Sequence, residues 1–373
     1  MKMKIKPPEK EQSPEARSNI GVRNPFPLAE AILLQKGKIK EPIDWTALSA
    51  EQARKLLEKA FKIPYDHLFD PNPEYKSPLY GEPKVGSGVP GPCGAAVVGW
   101  ETVSADYPPP PPASGTNGLD AQQGCALDCY FIAAITSLAW TSTSSLSCTR
   151  VDENRRRYRF RTDGSAVSSN RETTRPLAVN SMGTLVYAKS SGSNVWPSLY
   201  EKAYAKFILD TTSDEPPIDT LLEHNPRAAL WEVCNYNTSS VNTADVTDVF
   251  ATIRTRGNTG GSNGKTARAM VAWTYHDSGH LPAGYSWDSL IVANHAYSIL
   301  GVTQVTIGEI SNNCIVLRNP FGLSDITAAT AKTGVRECTP TWYPGGFYFI
   351  NGNFAITAAE FPKYFEGFAW RNP

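Results

Sequence analysis

Hydrophobic positions are concentrated most strongly between residues 129 and 140, where the sequence reads Cys-Tyr-Phe-Ile-Ala-Ala-Ile-Thr-Ser-Leu-Ala-Trp. This stretch is long for a strand and apolar nearly all round, which is typical of a helix buried at the centre of a fold. Gly124 lies shortly before it as a turn residue. The pattern predicts a buried helix that carries Cys129 in its first turn.

A second helical pattern lies closer to the N-terminus. Ser49-Ala-Glu-Gln52 fits a capping box, in which two side chains satisfy backbone amides at the start of a helix. Apolar residues then recur at helical spacing, namely Ala53, Leu56, Leu57, Ala60 and Phe61. The sequence therefore predicts an amphipathic helix over residues 49–62.

Runs of alternating β-branched and aromatic residues appear in the second half of the chain. The clearest are residues 296–307, 314–317 and 346–350, and each is predicted to form a strand. Helices that come first and strands that come later favour an α+β fold with two lobes.

The N-terminal third differs in composition from the rest. Residues 1–43 are rich in proline and charge, which favours an extended or disordered state. The run Pro108–Pro112, followed by Ala-Ser-Gly-Thr-Asn-Gly, resembles a stiff spacer that ends in a hinge. We therefore predict an N-terminal extension over residues 1–113, a helical lobe over 114–228 and a β-rich lobe over 229–373.

Composition narrows the classes of function. The 373 residues include 36 Lys and Arg and 36 Asp and Glu, so no global field favours nucleic acid as a partner. The chain shows no signal-peptide pattern and no apolar run of membrane-spanning length, which predicts a cytoplasmic protein without a membrane span. The seven cysteines are scattered without metal-ligand spacing, and their odd number leaves at least one thiol.

Cys129 has the position of a reactive thiol. The first turn of a helix gathers unpaired amides and the positive end of the helix dipole, which lower a thiol pKa, especially beside an imidazolium. Gln123 lies six residues upstream and could donate its amide to an oxyanion, as acyl transfer requires. Without such partner residues, a cysteine in this position is best explained as a small buried hydrophobic residue.

The partners of such a thiol are distant in sequence. His295 opens one predicted strand and Asn319 ends the next, so two adjacent antiparallel strands would bring them side by side. An asparagine amide can then hold the imidazole in the productive tautomer. Taken singly, His295 would be a core histidine and Asn319 a turn residue before Pro320.

Five ordered segments resemble the calpain family of papain-like cysteine proteases. Residues 123–134 are similar to the calpain nucleophile segment Q-G-x-L-G-D-C-W-x-x-A-A, residues 295–298 to G-H-A-Y-S, and residues 317–322 to L-R-N-P-W-G. Residues 196–206 look like W-x-x-L-L-E-K-A-Y-A-K, and residues 346–365 resemble the closing G-E-F-W…D-F segment. The resemblance spans about residues 114–368.

The resemblance implies a two-lobed core and a reaction. Cys129 would lie on the helical lobe as the nucleophile, with His295 as acid and base and Asn319 as its orienting residue on the β-rich lobe. Gln123 would stabilise the oxyanion during hydrolysis of a peptide bond in a protein or peptide substrate. Trp196 and Phe321 would lie at the cleft or behind the catalytic residues.

The sequence departs from the family pattern at several places. Ala126-Leu127 replaces Leu-Gly, Tyr130 replaces Trp, Asn294 replaces Gly, and Phe321 replaces the Trp that shields the Asn-His hydrogen bond. Phe321 is still a flat apolar residue, so we expect the bond to survive. Leu127 stands where a glycine could have served backbone geometry.

The reaction itself calls for no cofactor, but the resemblance makes Ca²⁺ a candidate. Calpain lobes bind calcium through an Asp three residues before the Gln, and Asp120 stands at that place. The usual Glu partner has no counterpart, because the matching region reads Met182-Gly-Thr-Leu185. Since calcium takes about six to eight oxygen ligands, Asp120 alone does not establish a calcium site.

Two other signals favour simpler readings. Residues 257–266 invite comparison with a phosphate-binding loop, but the first glycine is missing and the flanks are reversed, so we predict a surface loop. His276 and His280 could touch one metal ion, yet further ligands are lacking and solvated loop histidines are preferred.

The preferred function is a calpain-like cysteine endopeptidase. One alternative is a catalytically weak relative that binds protein partners, and another is an amidase or peptide-ligating enzyme that uses the same thiol chemistry. Residues 1–113 are predicted to act as an inhibitory or processed segment.

Overall fold

The structure is a computed structural model that describes residues 97–102, 119–142, 146–162, 168–190, 194–234, 236–287, 290–307, 310–322, 335–336, 342 and 352–373. All of them belong to one compact unit, Phe69–Pro373. The helix predicted over 49–62, the hinge at 108–112 and the strand at 346–350 lie outside the described residues. The domain boundaries drawn at 113 and near 228 stay predictions.

Five α-helices occur in the described ranges. They are α1 (Cys129–Thr141), α2 (Trp196–Ile208), α3 (Pro226–Val233), α4 (Val249–Gly257) and α5 (Phe361–Tyr364). No helix in these ranges is long and apolar enough to cross a membrane.

The strands come mainly after the first helices. They are β1 (Gly99–Thr102), β2 (Ala121–Gln122), β3 (Cys148–Arg150), β4 (Arg155–Arg161), β5 (Ser168–Thr174), β6 (Pro176–Val179), β7 (Lys189–Ser190), β8 (Thr238–Asn242), β9 (Gly264–Lys265), β10 (Met270–Thr274), β11 (Ala296–Ile307), β12 (Ile310–Arg318), β13 (Val335–Arg336), β14 (Asn353–Thr357) and β15 (Phe365–Arg371). The α+β class predicted from the sequence is confirmed.

Helix α1 is the buried helix predicted from the apolar stretch, and it extends one residue further, to Thr141. Every residue from Cys129 to Trp140 is buried. The turn that leads into it depends on Gly124, because a Cβ there would lie 2.2 Å from the carbonyl oxygen of Tyr187. A glycine at this position therefore lets two backbone segments pack closely just before the helix.

One large antiparallel sheet contains most of the later strands. Its strand order is β13-β14-β12-β11-β10-β15-β8, and β9 also pairs with β11. Strands β11 and β12 are neighbours, with Ser298 opposite Arg318. The adjacent antiparallel strands expected from the sequence are therefore present, and His295 and Asn319 lie next to the paired ends.

Helix α1 packs against this sheet in a fixed direction. Ser298 Oγ donates a hydrogen bond of 2.8 Å to the carbonyl of Ala133, and Trp140 Nε1 donates one of 2.7 Å to the carbonyl of Leu300. The two bonds follow the same order along both elements, so α1 and β11 run in the same direction. Cys129, which begins the helix, and His295, which precedes the strand, consequently lie at the same end of this packed pair.

Candidate active site

His295 and Asn319 form a buried hydrogen-bonded pair. Their atoms Nε2 and Oδ1 are 3.0 Å apart, and both side chains are fully buried. The amide orientation of Asn319 is fixed at both ends, because its Oδ1 also accepts from the backbone N–H of Phe321 and its Nδ2 donates to the carbonyl of Leu290. Since Oδ1 is an acceptor, Nε2 of His295 must carry the hydrogen.

The other ring nitrogen of His295 is therefore the basic one in the neutral ring. Nδ1 is buried and makes no hydrogen bond to the described part of the chain. Burial lowers the pKa of the His295 imidazole to about 4, and the bond to Asn319 offsets part of that effect. Near neutral pH the side chain is thus a neutral base, unless an anion beside it stabilises the protonated form.

Phe321 covers the bond between His295 and Asn319. The Phe321 and His295 rings are 4.5 Å apart between centroids and are tilted by 34°. The hydrogen bond expected to survive the replacement of Trp by Phe is present. An aromatic ring over this pair limits access of water, which would otherwise compete for the same donor and acceptor.

Cys129 occupies the first position of α1, as predicted. It is fully buried and carries a thiol rather than a disulfide. Amides in the first turn of a helix have no partner within the helix, so partial positive charge collects around the sulfur. Among the other thiols, burial raises the pKa of Cys148 to about 11 and that of Cys234 to about 11.

Gln123 is held beside the Asn319 segment by its backbone. Its N–H donates a hydrogen bond of 2.8 Å to the carbonyl of Pro320, and its side-chain Nε2 donates one of 2.7 Å to the carbonyl of Ala126. The first bond connects the residues before the nucleophile helix to the turn after Asn319. The second fixes the amide group within the turn that leads to Cys129.

A pair of buried carboxyl groups lies next to the nucleophile, and the sequence pattern did not indicate it. Asp128, which precedes Cys129, and Glu201 on α2 are both fully buried. Burial raises the pKa of Asp128 to about 7, and burial together with the neighbouring Asp128 raises the pKa of Glu201 well above its usual value. Each carboxyl group affects the pKa of the other, so we expect this buried pair to share one proton rather than carry two negative charges.

The strained backbone position near the site is Asn294, not Leu127. Three described residues other than glycine have positive φ angles, and Asn294 is one of them, at +50°. This region favours glycine and tolerates asparagine better than most residues. Leu127 is not among the residues with positive φ, so its backbone does not require a glycine. The glycine that the family pattern has before the histidine is accounted for, because the backbone at position 294 has a positive φ.

Asp120 and Trp196 contact each other, and their environment does not fit a calcium site. The Asp120 carboxylate accepts hydrogen bonds from Ser190 Oγ, Asn194 Nδ2 and Trp196 Nε1 at 2.7–3.3 Å. Asp120 is the one carboxylate among these contacts and is already bonded to three donors, whereas calcium takes about six to eight oxygen ligands. Across the described ranges, no group of three or more His, Cys, Asp or Glu side chains could hold a metal ion.

Two segments that the sequence analysis considered as possible binding sites are not part of this site. Residues 257–266 connect the end of α4 to β9 and have no strand before a helix, as the surface-loop prediction requires. His276 and His280 are exposed, and His280 stacks on Tyr275 with ring centroids 4.8 Å apart.

Cys125 is disulfide-bonded, which the sequence did not predict. It lies between Gln123 and Cys129, so this bond restrains the turn that carries both residues. The site thus contains one cysteine in a disulfide and, four residues later, one with a thiol.

Comparison with known proteins agrees with the resemblance seen in the sequence. The model described as "Calpain family cysteine protease" matches residues 111–334, which is more than half of the 373 residues. No curated protein matches the chain significantly. The matched range contains Gln123, Cys129, His295 and Asn319, together with the helix and the strand pair that position them. The chain therefore belongs to the calpain family of cysteine proteases.

Proposed function

We propose that this chain is an active endopeptidase in which Cys129, His295 and Asn319 form a catalytic triad. The observation that carries the proposal is the His295–Asn319 hydrogen bond of 3.0 Å, which leaves the basic Nδ1 for the thiol. Both His295 and the helix start at Cys129 lie at the same end of α1 and β11. A neutral base and a helix-start thiol are the two components that thiol catalysis requires.

The proposed reaction begins with proton transfer from Cys129 Sγ to His295 Nδ1. The thiolate then attacks the carbonyl carbon of the scissile peptide bond, and the resulting oxyanion accepts hydrogen bonds from the Cys129 backbone N–H and the Gln123 amide. As the intermediate collapses, the imidazolium gives its proton to the leaving nitrogen, and the amine product departs. A thioacyl-enzyme remains on Cys129.

Water completes the cycle. His295 takes a proton from the attacking water, the new oxyanion is stabilised by the same donors, and the C–S bond breaks. The carboxylic acid product and the thiolate are released, and the imidazolium returns its proton to sulfur. Asn319 maintains the tautomer of His295 throughout, because its Oδ1 binds Nε2–H in both protonation states.

A second candidate function is protein binding without efficient catalysis. The observation in its favour is that Gln123, Cys129, His295 and Asn319 are all fully buried, so a substrate must gain access by a conformational change. A chain that never opens would retain the site without using it. The retention of all four side chains together favours the enzyme.

We also propose that residues 1–113 restrict access to the site. Full burial of Cys129 agrees with a closed state, and removal of an inhibitory segment is a common way to open one. A chain beginning at about residue 97, which keeps β1 and its pairing with β6, is expected to be alkylated at Cys129 faster than the full chain. Equal rates, with no self-cleavage on storage, would remove this part of the proposal.

The cytoplasmic location predicted from the sequence and the disulfide at Cys125 point to different compartments, because disulfides form in oxidising compartments. The state of Cys125 in protein isolated under conditions that block thiol exchange decides between them: a disulfide would indicate an oxidising compartment, and a thiol would support the cytoplasm. A protein or peptide is the proposed substrate, and nucleic acid is not a proposed partner.

The function is tested by cleavage of a peptide library. Wild-type protein, Cys129→Ala and the control Cys148→Ala are incubated with the library, and the products are identified by mass spectrometry. Wild type and Cys148→Ala are expected to give the same new termini, and Cys129→Ala none. Products that do not depend on Cys129 would contradict the proposal, and joined rather than cleaved peptides would indicate a ligase.

A further inference from the structure

The residue that precedes His295 is held by a carboxylate from another part of the chain. Asn294 has a left-handed backbone with φ of +50°, and its Nδ2 donates a hydrogen bond of 2.8 Å to Glu223 Oε1. Asn294 Oδ1 makes no hydrogen bond within the described ranges. The bond to Glu223 therefore supplies the polar restraint on this side chain.

The residue that follows the nucleophile contacts the same segment. Tyr130 donates a hydrogen bond of 2.9 Å from its hydroxyl to the carbonyl of Leu222. The Tyr130 ring also packs edge-on against His224, with ring centroids 5.4 Å apart. Three consecutive residues, Leu222–His224, thus contact the neighbour of Cys129 on one side and the neighbour of His295 on the other.

The 222–224 segment is itself fixed at both ends. Leu221 is buried, and Asn225 caps α3 by accepting a hydrogen bond of 2.9 Å from the N–H of Ala228. His224 Nε2 lies 2.9 Å from Glu232 Oε1, and Glu232 also accepts a bond from the hydroxyl of Tyr204. Because the 222–224 segment is held by these contacts, it can fix the positions of the residues that bind to it.

Both contacts occur where the chain departs from the family pattern. Tyr130 stands in place of Trp and Asn294 in place of Gly, and the polar groups introduced by these two replacements bind the same three residues. A glycine adopts a positive φ without help from its side chain, whereas asparagine does so at a cost. The bond to Glu223 offsets that cost in this chain.

We propose that Glu223 is a positioning residue that acts through Asn294 to set the direction in which His295 faces Cys129. The inference rests on the proposed proteolytic function. Glu223 does not contact the substrate in this proposal. The 222–224 segment keeps Tyr130, which follows Cys129, and Asn294, which precedes His295, at a fixed separation.

The test is a double-mutant cycle that uses glycine as the rescuing residue. Wild type, Glu223→Ala, Asn294→Gly and the double variant are compared, with Glu223→Gln as the conservative variant. Glu215→Ala is the matched control, because Glu215 is an exposed carboxylate in the same connection between α2 and α3. Two properties are measured from pH 5 to 9, namely the rate of Cys129 alkylation by iodoacetamide and the kcat and KM for a fluorogenic peptide.

Glu223→Ala is expected to lower both the alkylation rate and kcat at pH 7 by about tenfold, with KM changed less than about twofold. Glu223→Gln, Asn294→Gly and Glu215→Ala are expected to stay within about threefold of wild type, because an acceptor or a free positive φ remains. In the Asn294→Gly background, Glu223→Ala is expected to have no further effect.

Several results would overturn the inference. They are an unchanged Glu223→Ala variant, an equal loss in both backgrounds, or a loss confined to KM. If Glu223→Ala does not fold, Asn294→Ala is compared with Asn294→Gly, and equal rates for those two would also overturn it. A wild-type Cys129 that is alkylated no faster than Cys148 would instead remove the proposed function, and this inference with it.

Discussion

His295 and Asn319 are 24 residues apart in the chain, and a buried hydrogen bond of 3.0 Å joins their side chains. The bond defines which nitrogen of His295 is basic, because Asn319 Oδ1 already accepts from Phe321 N–H. It also lies under the Phe321 ring, away from water. The chemistry proposed for Cys129 depends on this arrangement.

Loss of the Asn319 side chain should impair catalysis without preventing folding. Asn319→Ala is expected to lower kcat for peptide cleavage by about 10- to 100-fold, because His295 loses the group that selects its tautomer. The exposed Asn170→Ala on β5 is the control and should leave kcat unchanged. An Asn319→Ala variant with wild-type kcat would show that His295 needs no orienting residue.

The ring of Phe321 should control the pKa of His295. Burial lowers that pKa to about 4, so a smaller side chain that admits water should raise it toward the ordinary value near 6.5. We expect a rise of about one unit or more for Phe321→Ala and little change for Phe321→Trp. The measurement is an NMR titration of His295 in the Cys129→Ala background, where no thiolate perturbs the ring. Equal pKa values of His295 in the Phe321→Ala and Phe321→Trp variants would show that the Phe321 ring does not control this pKa.

The buried carboxyl pair should make folding stability fall as pH rises. Burial raises the pKa of Asp128 to about 7, so between about pH 4 and pH 7 the unfolded chain loses a proton that the folded chain retains. That stability is present below the unfolded pKa and is lost as pH rises through the folded one. Asp128→Asn removes this titration and should gain free energy of unfolding relative to wild type, on the order of a few kcal/mol, between pH 5 and pH 8.

Urea unfolding at the two pH values measures this difference. Asp245→Asn, which changes an exposed carboxylate, is the control and should follow wild type at both. If Asp128→Asn and wild type showed the same change from pH 5 to pH 8, the pair would not share a proton.

Removal of calcium should leave the activity in place. Asp120 accepts hydrogen bonds from Ser190, Asn194 and Trp196, and among the described residues no group of three or more His, Cys, Asp or Glu side chains could hold a metal ion. A calcium chelator is therefore expected to change the rate of peptide cleavage by less than about twofold. A rate that collapsed with chelator and returned with Ca²⁺ but not Mg²⁺ would contradict this expectation.

Asp120 should instead matter for stability. Asp120→Asn places amide hydrogens against existing donors, so we expect a loss of about 1–3 kcal/mol in the free energy of unfolding, measured by urea denaturation. Asp152→Asn, at an exposed turn, is the control and should lose less. An unchanged stability for Asp120→Asn would show that the three hydrogen bonds contribute little.

Local pattern predicted the elements that carry the catalytic residues. The apolar stretch at 129–140 became α1, and the alternating run at 296–307 became β11 with the same bounds. These predictions succeed because burial on all sides of a helix and alternation along a strand leave a direct periodic signal.

Contacts between distant segments were not predictable in the same way. Asp128 and Glu201, or Glu223 and Asn294, are polar residues without periodic spacing. The packing of α1 against α2 brings the first pair together, and the contact of the 222–224 segment with the residue before His295 brings the second pair together. The sequence indicated which residues were chemical candidates, but the raised pKa values of Asp128 and Glu201 and the left-handed backbone at Asn294 are properties of the tertiary structure.

The central claim, that Cys129 is a nucleophile activated by His295, is tested most directly by covalent labelling. Wild type, Cys129→Ala and His295→Ala, each as the full chain and as a chain beginning at about residue 97, which keeps β1, are incubated at pH 7 with a peptide-like thiol-reactive epoxide and mapped by mass spectrometry. The account predicts one adduct on Cys129 in wild type, none in Cys129→Ala, and labelling slowed by at least about 100-fold in His295→Ala. Labelling of Cys129 at the same rate with and without His295, or no labelling of Cys129 in either chain, would contradict it.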